Sequence, residues 1–424
     1  MFEDVYQFDL PRETKSIIKV IGVGGGGSNA VNHMYRQGIR GVEFVICNTD
    51  NQALQNSPIT NKIQLGKELT FGRGAGNEPV KGRESALENL EDIRQVLNDN
   101  TKMVFLTAGM GGGTGTGAAP VIAEAATELG ILTVGIVTLP FSFEGQKRWN
   151  QAVEGIRELK DHVDALLVIH NDRLRDIYGD QPLSVAFGHA DNVLAMAAKG
   201  IAEIITVHGY VNVDFADVRT VMERSGVAIM GSGVAEGENR AFEAISKALI
   251  SPLLNNNNLK GARNILLNIS SGAQEVLMDE ITEIMEFIQG CTKIQSDIIW
   301  GNTVDETLGN ALSVTIVATG LQAETGLGDL VPDFEKMVYP LKHHKEGQTL
   351  PADIFGTAQK ADEIPMEIEG LEMAEKVPEL QLELVGNETK APKRERGPRK
   401  KGKAVKAVEK MFGSLFDEKD DELK

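Results

Sequence analysis

The sequence predicts an α/β protein built on a parallel sheet. Three features carry that prediction: short β-branched runs that are apolar on both faces, helical segments between them, and glycine clusters where a run gives way to a helix. Strands of this kind, alternating with helices, pack as a parallel sheet covered on both sides.

The first run, Ser16 to Val23 (SIIKVIGV), stops at four glycines and passes into a segment with helical spacing at Ala30, Val31 and Met34. That reads as strand, glycine turn, helix. VEFVICNTD, after Gly41, is a second strand, and MVFLTAG is a third, leading through GMGGGTGTG into the helix AAPVIAEAATELG. ILTVGIVTLP and ALLVIHND continue the alternation. From Ser184 to Val207 the chain is apolar around most of a helical circumference, which predicts a long buried helix. Then come NVDFADVRTVMERSG, two glycine-rich turns, a helix through Ala244, and the strands ARNILLNIS and ALSVTIVATG. This is a second α/β unit, joined to the first through the long helix. From about Pro332 the periodicity fails, and Pro351 to Lys390 is acidic and poor in aromatics, as expected of a solvated linker. Lys393 to Lys403 is basic, and Val405, Val408, Phe412 and Leu415 fall at helical spacing in a short amphipathic tail.

A chain of 424 residues has room for two domains and a disordered segment. The net charge of −18 excludes nucleic acid as a main ligand, because neutralising phosphates over a broad surface needs a dominant basic field. The first 16 residues lack the basic start and apolar core of a secretory signal, and no apolar run is long enough to span a bilayer. Two distant cysteines, Cys47 and Cys291, support neither a disulfide framework nor a thiolate metal site, in keeping with a reducing cytosol.

Gly22, Gly24 and Gly27 match the G-x-G-x-x-G fingerprint after a strand, and Asp50 ends the second strand where a ribose-binding acid would sit. Alone, this fits a nicotinamide enzyme or a ligand-free tight turn. The run Gly109 to Gly117 changes the reading. It too lies between strand and helix, so one sheet edge carries two glycine loops aiming backbone N–H groups at one crevice, which suits a polyphosphate. Thr114 and Thr116 add hydroxyl donors. With no lysine in the loop, phosphate charge must be balanced by amides and a cation, Mg²⁺. FGRGAGNEP, with Gly74, Ala75 and Gly76, is either a lid on the same phosphates or an ordinary surface turn. Glu144 and Arg148 stand where a carboxylate could take ribose hydroxyls, or they form an i,i+4 ion pair. Asn171 and Asp172 follow the fifth strand, and Phe187 and Asp191 begin the long helix one turn apart. An aromatic face with amide and carboxylate acceptors suits guanine, although core packing also accounts for Phe187. Asn212, Asp214 and Asp217 read as a helix cap with an acid in the first turn, or as carboxylates that position a water and a metal for attack on phosphorus.

In this order and spacing, GMGGGTGTG, the four-glycine turn, FSFEGQKR, NDRL, AFGHADNVL and NVDFADVRTVM resemble the tubulin/FtsZ family of cell-division GTPases from about Ser16 to Leu321. The resemblance implies an N-terminal extension (1–15), a tubulin-like GTP-binding domain (16–183), a central helix (184–208), a smaller C-terminal α/β domain with the synergy loop (209–330), a disordered linker (331–403) and a tail (404–424). It implies binding of GTP and GDP with Mg²⁺, for which it assigns no protein ligands here, and assembly-dependent hydrolysis in head-to-tail protofilaments of the division ring, in the cytoplasm at mid-cell. Phosphate contacts fall on Gly25, Gly26, Gly27, Ser28 and Asn29 and on Gly113, Thr114 and Gly115, with Ala75 and Gly76 sensing the γ-phosphate. Ribose contacts fall on Glu144 and Arg148, and base contacts on Asn171, Phe187 and Asp191. Asn212, Asp214 and Asp217 match the synergy loop, which completes the site of the neighbouring subunit. Family members usually end in a peptide with a D-I-P-x-F-L-like core that binds membrane tethers; this chain ends in MFGSLFDEKDDELK. Its basic run and apolar stripe lead us to expect docking of membrane-tethering or regulatory division proteins, or of a membrane surface, all the same.

Overall fold

The computed structural model describes residues 16–321, except 40, 179, 208, 212, 251–258, 260 and 293–295, and except the side chains of 175–178, 183, 184 and 186. The expected linker and tail therefore lie outside the described residues, as do the N-terminal extension and Asn212.

Six strands, β1 (Ile18–Val23), β2 (Glu43–Asn48), β3 (Asn61–Gln64), β4 (Met103–Gly109), β5 (Leu132–Leu139) and β6 (Ala165–His170), run parallel in the order β3-β2-β1-β4-β5-β6. β7 (Gly226–Ala235), β8 (Asn264–Ser271), β9 (Asp297–Val304) and β10 (Leu312–Thr319) extend the sheet as β7-β10-β8-β9. The helices that connect the parallel strands are α1 (Gly24–Arg36), α2 (Asn51–Gln55), α3 (Lys67–Thr70), α4 (Pro79–Glu88), α5 (Leu90–Leu97), α6 (Thr114–Glu128), α7 (Gln146–Lys160) and α8 (Asn171–Tyr178). The 24-residue α9 (Leu183–Thr206) and α10 (Phe215–Met222) follow, then α11 (Arg240–Ile250) and α12 (Met278–Thr292).

Alternation of strand side chains sorts the parallel sheet into two cores. Ile18 and Val20 pack with Ala30, Val31 and Met34 of α1 and with α9, while Ile21, Val23, Leu106 and Ala108 pack with Ala118, Ile122 and Ala126 of α6. Each fully buried Val, Leu, Ile or Met among them contributes roughly 1.5–3 kcal/mol. A third core joins Ile265, Leu267 and Ile316 to Ile284 and Ile288 of α12.

Of the two expected glycine-rich turns only the second, around Gly237, is a turn; residues 226–235 are not. They form the ten-residue β7, whose start pairs parallel with β6 (Ala165 with Gly226 to Leu167 with Ala228) and whose remainder pairs antiparallel with β10. The second α/β unit is thus joined to the first by a shared strand as well as by the helix. The glycines misled because one serves packing: a Cβ on Gly233 would lie 2.2 Å from the carbonyl oxygen of Ala244, so glycine here lets α11 lie close on the strand. The edge strands β3 and β9 were also unforeseen; NKIQ and DIIWGNTV are too short or too mixed to alternate clearly.

The third core is pinned by one dehydrated cation. Arg240, fully buried, donates from Nε and Nη2 to the Glu280 carboxylate (2.7 and 2.9 Å), from Nη1 to the carbonyls of Gln274 (3.1 Å) and Asn310 (2.9 Å), and from Nη2 to that of Glu275 (2.8 Å). All five donors are used. Arg240→Ala leaves a carboxylate and three carbonyls unsatisfied and should destabilise the C-terminal half by about 3–5 kcal/mol, read as an earlier urea transition of Trp300 in β9. Arg240→Lys, with fewer donors, should fall between.

Candidate functional site

The strand order reverses at β1 and β4: these neighbours send the chain to opposite sides, and α1 and α6 lie on opposite faces of the sheet. A crevice therefore opens between the N-termini of the two helices. No separate glycine turn precedes α1; the helix begins at Gly24 itself, directly after β1, so the glycines are its first turn. α6 begins at Thr114, after the turn of residues 110–113 that follows β4. Neither start has a side-chain cap, which leaves the first-turn N–H groups free for an anion, with both helix dipoles favouring negative charge.

Glycine is demanded here by backbone contact. Gly24 has φ +69°, and a Cβ on it would lie 2.8 Å from the amide nitrogen of Gly115. A Cβ on Gly27 would lie 2.3 Å from the carbonyl oxygen of Thr107, and one on Gly115 2.5 Å from that of Gly109. Gly27, Gly113 and Gly115 are buried, whereas Gly25, Gly26 and Asn29 are exposed. Ser28 is buried, and its hydroxyl has no partner among the described residues.

Two threonines went unnoticed in the sequence. The Thr49 hydroxyl, just past β2, bonds the Thr114 hydroxyl (2.7 Å), and Thr107 in β4 is fully buried with an unpartnered hydroxyl. A hydroxyl inside an otherwise apolar strand was the available signal. Thr116 acts internally, accepting the Gly111 N–H (2.9 Å) to close the loop.

The third glycine segment joins the other two. Ala75 is buried against the second loop, where a Cβ on Gly113 would lie 2.9 Å from that of Ala75. The segment is tied to β2 by Asn51 N–H to the Gly72 carbonyl (3.1 Å) and Gly74 N–H to that of Thr49 (3.3 Å). Positive φ recurs at Gly72, Gly74, Gly76 and Asn77. Among the described residues, the amides of Ala75, Gly76 and Asn77 have no acceptor, and such alternating backbone forms an anion-binding concavity. Asp50, considered for ribose, instead caps α2 by accepting from the amides of Gln52 and Ala53.

At the other end of the crevice, Glu144 Oε2 pairs with Arg148 (2.5 Å) and Oε1 accepts the Phe141 N–H (2.9 Å), so the i,i+4 pair forms in this structure. Phe141 stacks on Phe143 and meets the exposed Phe187 edge-on at 5.2 Å; Phe187 is not a core residue. Asp172 holds this loop through the Ser142 N–H (3.1 Å). Asn171 is buried, with its Oδ1 unpartnered among the described residues. Burial pushes the Asp191 carboxyl up to about 6, against the opposing pull of His33. Burial, helped by Arg173 and opposed by Asp172, pulls His170 down to about 4, so it is neutral beside Asn171.

Asp214 and Asp217 are not brought to this crevice. They form a reciprocal capping box at the start of α10, with Asp217 N–H to Asp214 (2.9 Å) and Asp214 N–H to Asp217 (3.3 Å), both exposed. α9 starts beside Phe187 and spans about 36 Å at the usual rise. Its last residue, Thr206, abuts Gly41 ahead of β2, so the chain approaches Asp214 from the amino ends of the parallel strands, away from the glycine loops. No cluster of three or more histidine, cysteine or acidic residues suited to a metal occurs among the described residues.

Comparison with known proteins adds to this geometry. Residues 17–179 match the tubulin/FtsZ family GTPase domain, and residues 226–322 match the FtsZ family C-terminal domain. The cell division protein FtsZ of Porphyromonas gingivalis is 52% identical over 313 residues, covering 73% of this chain and 68% of the relative. That of Coxiella burnetii is 49% identical over 334 residues, covering 78% and 85%. Among solved structures, an empty FtsZ dimer from M. jannaschii superposes with TM-score 0.69 at 44% identity, over 74% of this chain and 90% of that one.

Because the loop contacts are backbone to backbone, Gly24→Ala and Gly27→Ala should each cost roughly 1–3 kcal/mol in the nucleotide-free protein. Gly25→Ala, with nothing within 4 Å of its added carbon, should leave the thermal midpoint nearly unchanged.

Proposed function

From the premise that this chain belongs to the tubulin/FtsZ family of GTPases, we propose that it hydrolyses GTP at a site shared between successive copies of itself. The observation that carries this reading is the separation of parts: three glycine segments converge at the carboxyl ends of the parallel strands, and the long α9 runs from there toward the amino ends, where the Asp214–Asp217 pair follows. Head-to-tail stacking brings the two halves together, and a dimeric FtsZ relative supports such self-association.

In this reading Gly25, Gly26, Gly27, Ser28 and Asn29, with Gly113, Thr114 and Gly115, hold the phosphates. The free amides of Ala75 and Gly76 meet the terminal one. Preorganised N–H groups stabilise charge on the transferred phosphoryl group without reorganising. Glu144 and Arg148 take the ribose by opening their mutual pair. Phe187 covers the base, Asn171 offers its unpartnered carbonyl, and the Asp191 carboxylate accepts from the guanine N1–H and exocyclic amine. Asp214 and Asp217 of the next copy, with Asn212, orient the attacking water. Both capping acids keep free carboxylate lone pairs for that task.

Magnesium fits a cradle of this kind, which offers the neutral hydroxyls of Thr49, Thr107 and Thr114. Bound there, the ion would take most ligands from phosphate and water and neutralise charge on the β- and γ-oxygens. The polymer acts in the cytoplasm as the mid-cell division ring, and the tail (404–424) connects it to membrane-tethering and regulatory division proteins.

Turnover per subunit should rise with protein concentration and plateau, measured as phosphate release alongside light scattering; a flat value across dilution contradicts a shared site. Asp217→Ala should still bind GTP while losing at least about ten-fold in turnover. A neutral Asp191 presents an O–H donor and can no longer accept from both guanine N–H groups, so lowering the pH through about 6 should weaken binding. At about pH 5.5 GDP should bind roughly four-fold more weakly than at about pH 7.5, and Asp191→Asn should remove this dependence.

A further inference from the structure

The three glycine segments of the crevice, residues 24–29, 72–78 and 109–117, hold only two charged side chains, Arg73 and Glu78. We propose that Arg73 is the protein's own cation for the terminal phosphate, and that it sets the preference for the triphosphate over the diphosphate. The proposal rests on the nucleotide site proposed above.

The backbone of Arg73 is fixed. It bridges to Asp50 beside β2, its N–H donates to the Thr70 carbonyl (3.0 Å), and the glycines on either side, Gly72 and Gly74, have φ of +71° and +86°. Ala75, two residues on, touches Gly113 of the second phosphate loop. Two residues span at most about 7 Å, so the guanidinium can reach the mouth of the loop without backbone movement.

The side chain itself is uncommitted. Arg73 is exposed and has no ion-pair or hydrogen-bond partner for its guanidinium among the described residues, whereas Arg148 pairs with Glu144 and Arg83 with Glu158. Glu78 lies beyond the free amides of 75–77 at the start of α4 and does not pair with it.

The chemistry follows from position. Arg73 lies just ahead of the Ala75–Asn77 backbone, whose unpaired N–H groups mark where the outermost phosphate sits, so its fork adds to them a charged, bidentate contact. The α- and β-phosphates are served by the helix starts of α1 and α6, which carry no charged residue in their first turns. A cation at the rim therefore acts mainly on the group that GTP has and GDP lacks.

The test uses the full-length protein, diluted below any assembly, in competition with a fluorescent GDP analogue. Arg73→Leu should weaken a slowly hydrolysed GTP analogue about ten-fold and GDP by less than two-fold, and should flatten the salt dependence of the triphosphate alone. Arg73→Lys should recover part of the loss. Equal weakening of both nucleotides would reveal a merely structural role, and unchanged affinities would leave Arg73 no part in cis; either overturns the proposal. Arg73→Gln, which keeps a polar side chain, repeats the comparison should the leucine variant prove unstable. Wild-type protein that binds neither nucleotide would instead remove the underlying site, a result distinct from binding with an unaltered ratio.

Discussion

The crevice depends on two stretches of backbone touching with no side chain between them. β1 and β4 lie in register, Gly22 beside Thr107 and Val23 beside Ala108; a helix follows β1 at once and follows β4 after the short turn of residues 110–113. Both helix starts can occupy the same few ångströms only because Gly24, Gly27 and Gly115 bring nothing but hydrogen to the contact. A methyl group at any of these points would separate the two N-termini, and their dipoles would no longer converge.

That contact also explains why the surroundings are polar yet nearly uncharged. Thr49, Thr107, Thr114 and Ser28 place hydroxyls around the amides, and two of these, on Thr107 and Ser28, are buried and unpartnered among the described residues. A buried hydroxyl without a partner costs free energy, so their retention in a tightly packed region is expected where a ligand supplies the missing bond. At the base end, unpartnered Asn171 and the desolvated Asp191 carry the same mark.

Much of this was readable before any coordinates. The apolar runs of β1, β2, β4, β5 and β6 and the long α9 follow from periodicity, and the glycine loops were visible as runs. The capping reading of Asp214 and Asp217 was likewise legible from their spacing, and the structure bears it out. What was hidden required contacts between distant segments. Gly233 signals a turn in sequence and close packing in space, which is why β7 was missed. Thr49 acquires meaning only beside Thr114, 65 positions later. Phe187 looked like core because hydrophobic spacing cannot tell which face of a helix borders an open crevice; Phe141, far away in sequence, decides it.

Arg240 bears on the order in which the C-terminal half assembles. Its partners lie 34 to 70 positions away, on Gln274, Glu275, Glu280 and Asn310. Stripping water from a guanidinium before these groups arrive is costly, and several of its bonds come from loops with no regular structure to hold them in advance. The cation therefore penalises every partly formed arrangement of α11, α12 and the turns after β8 and β9. Folding of this half is made cooperative and late, because the arginine tolerates water or the complete set of acceptors, and little in between.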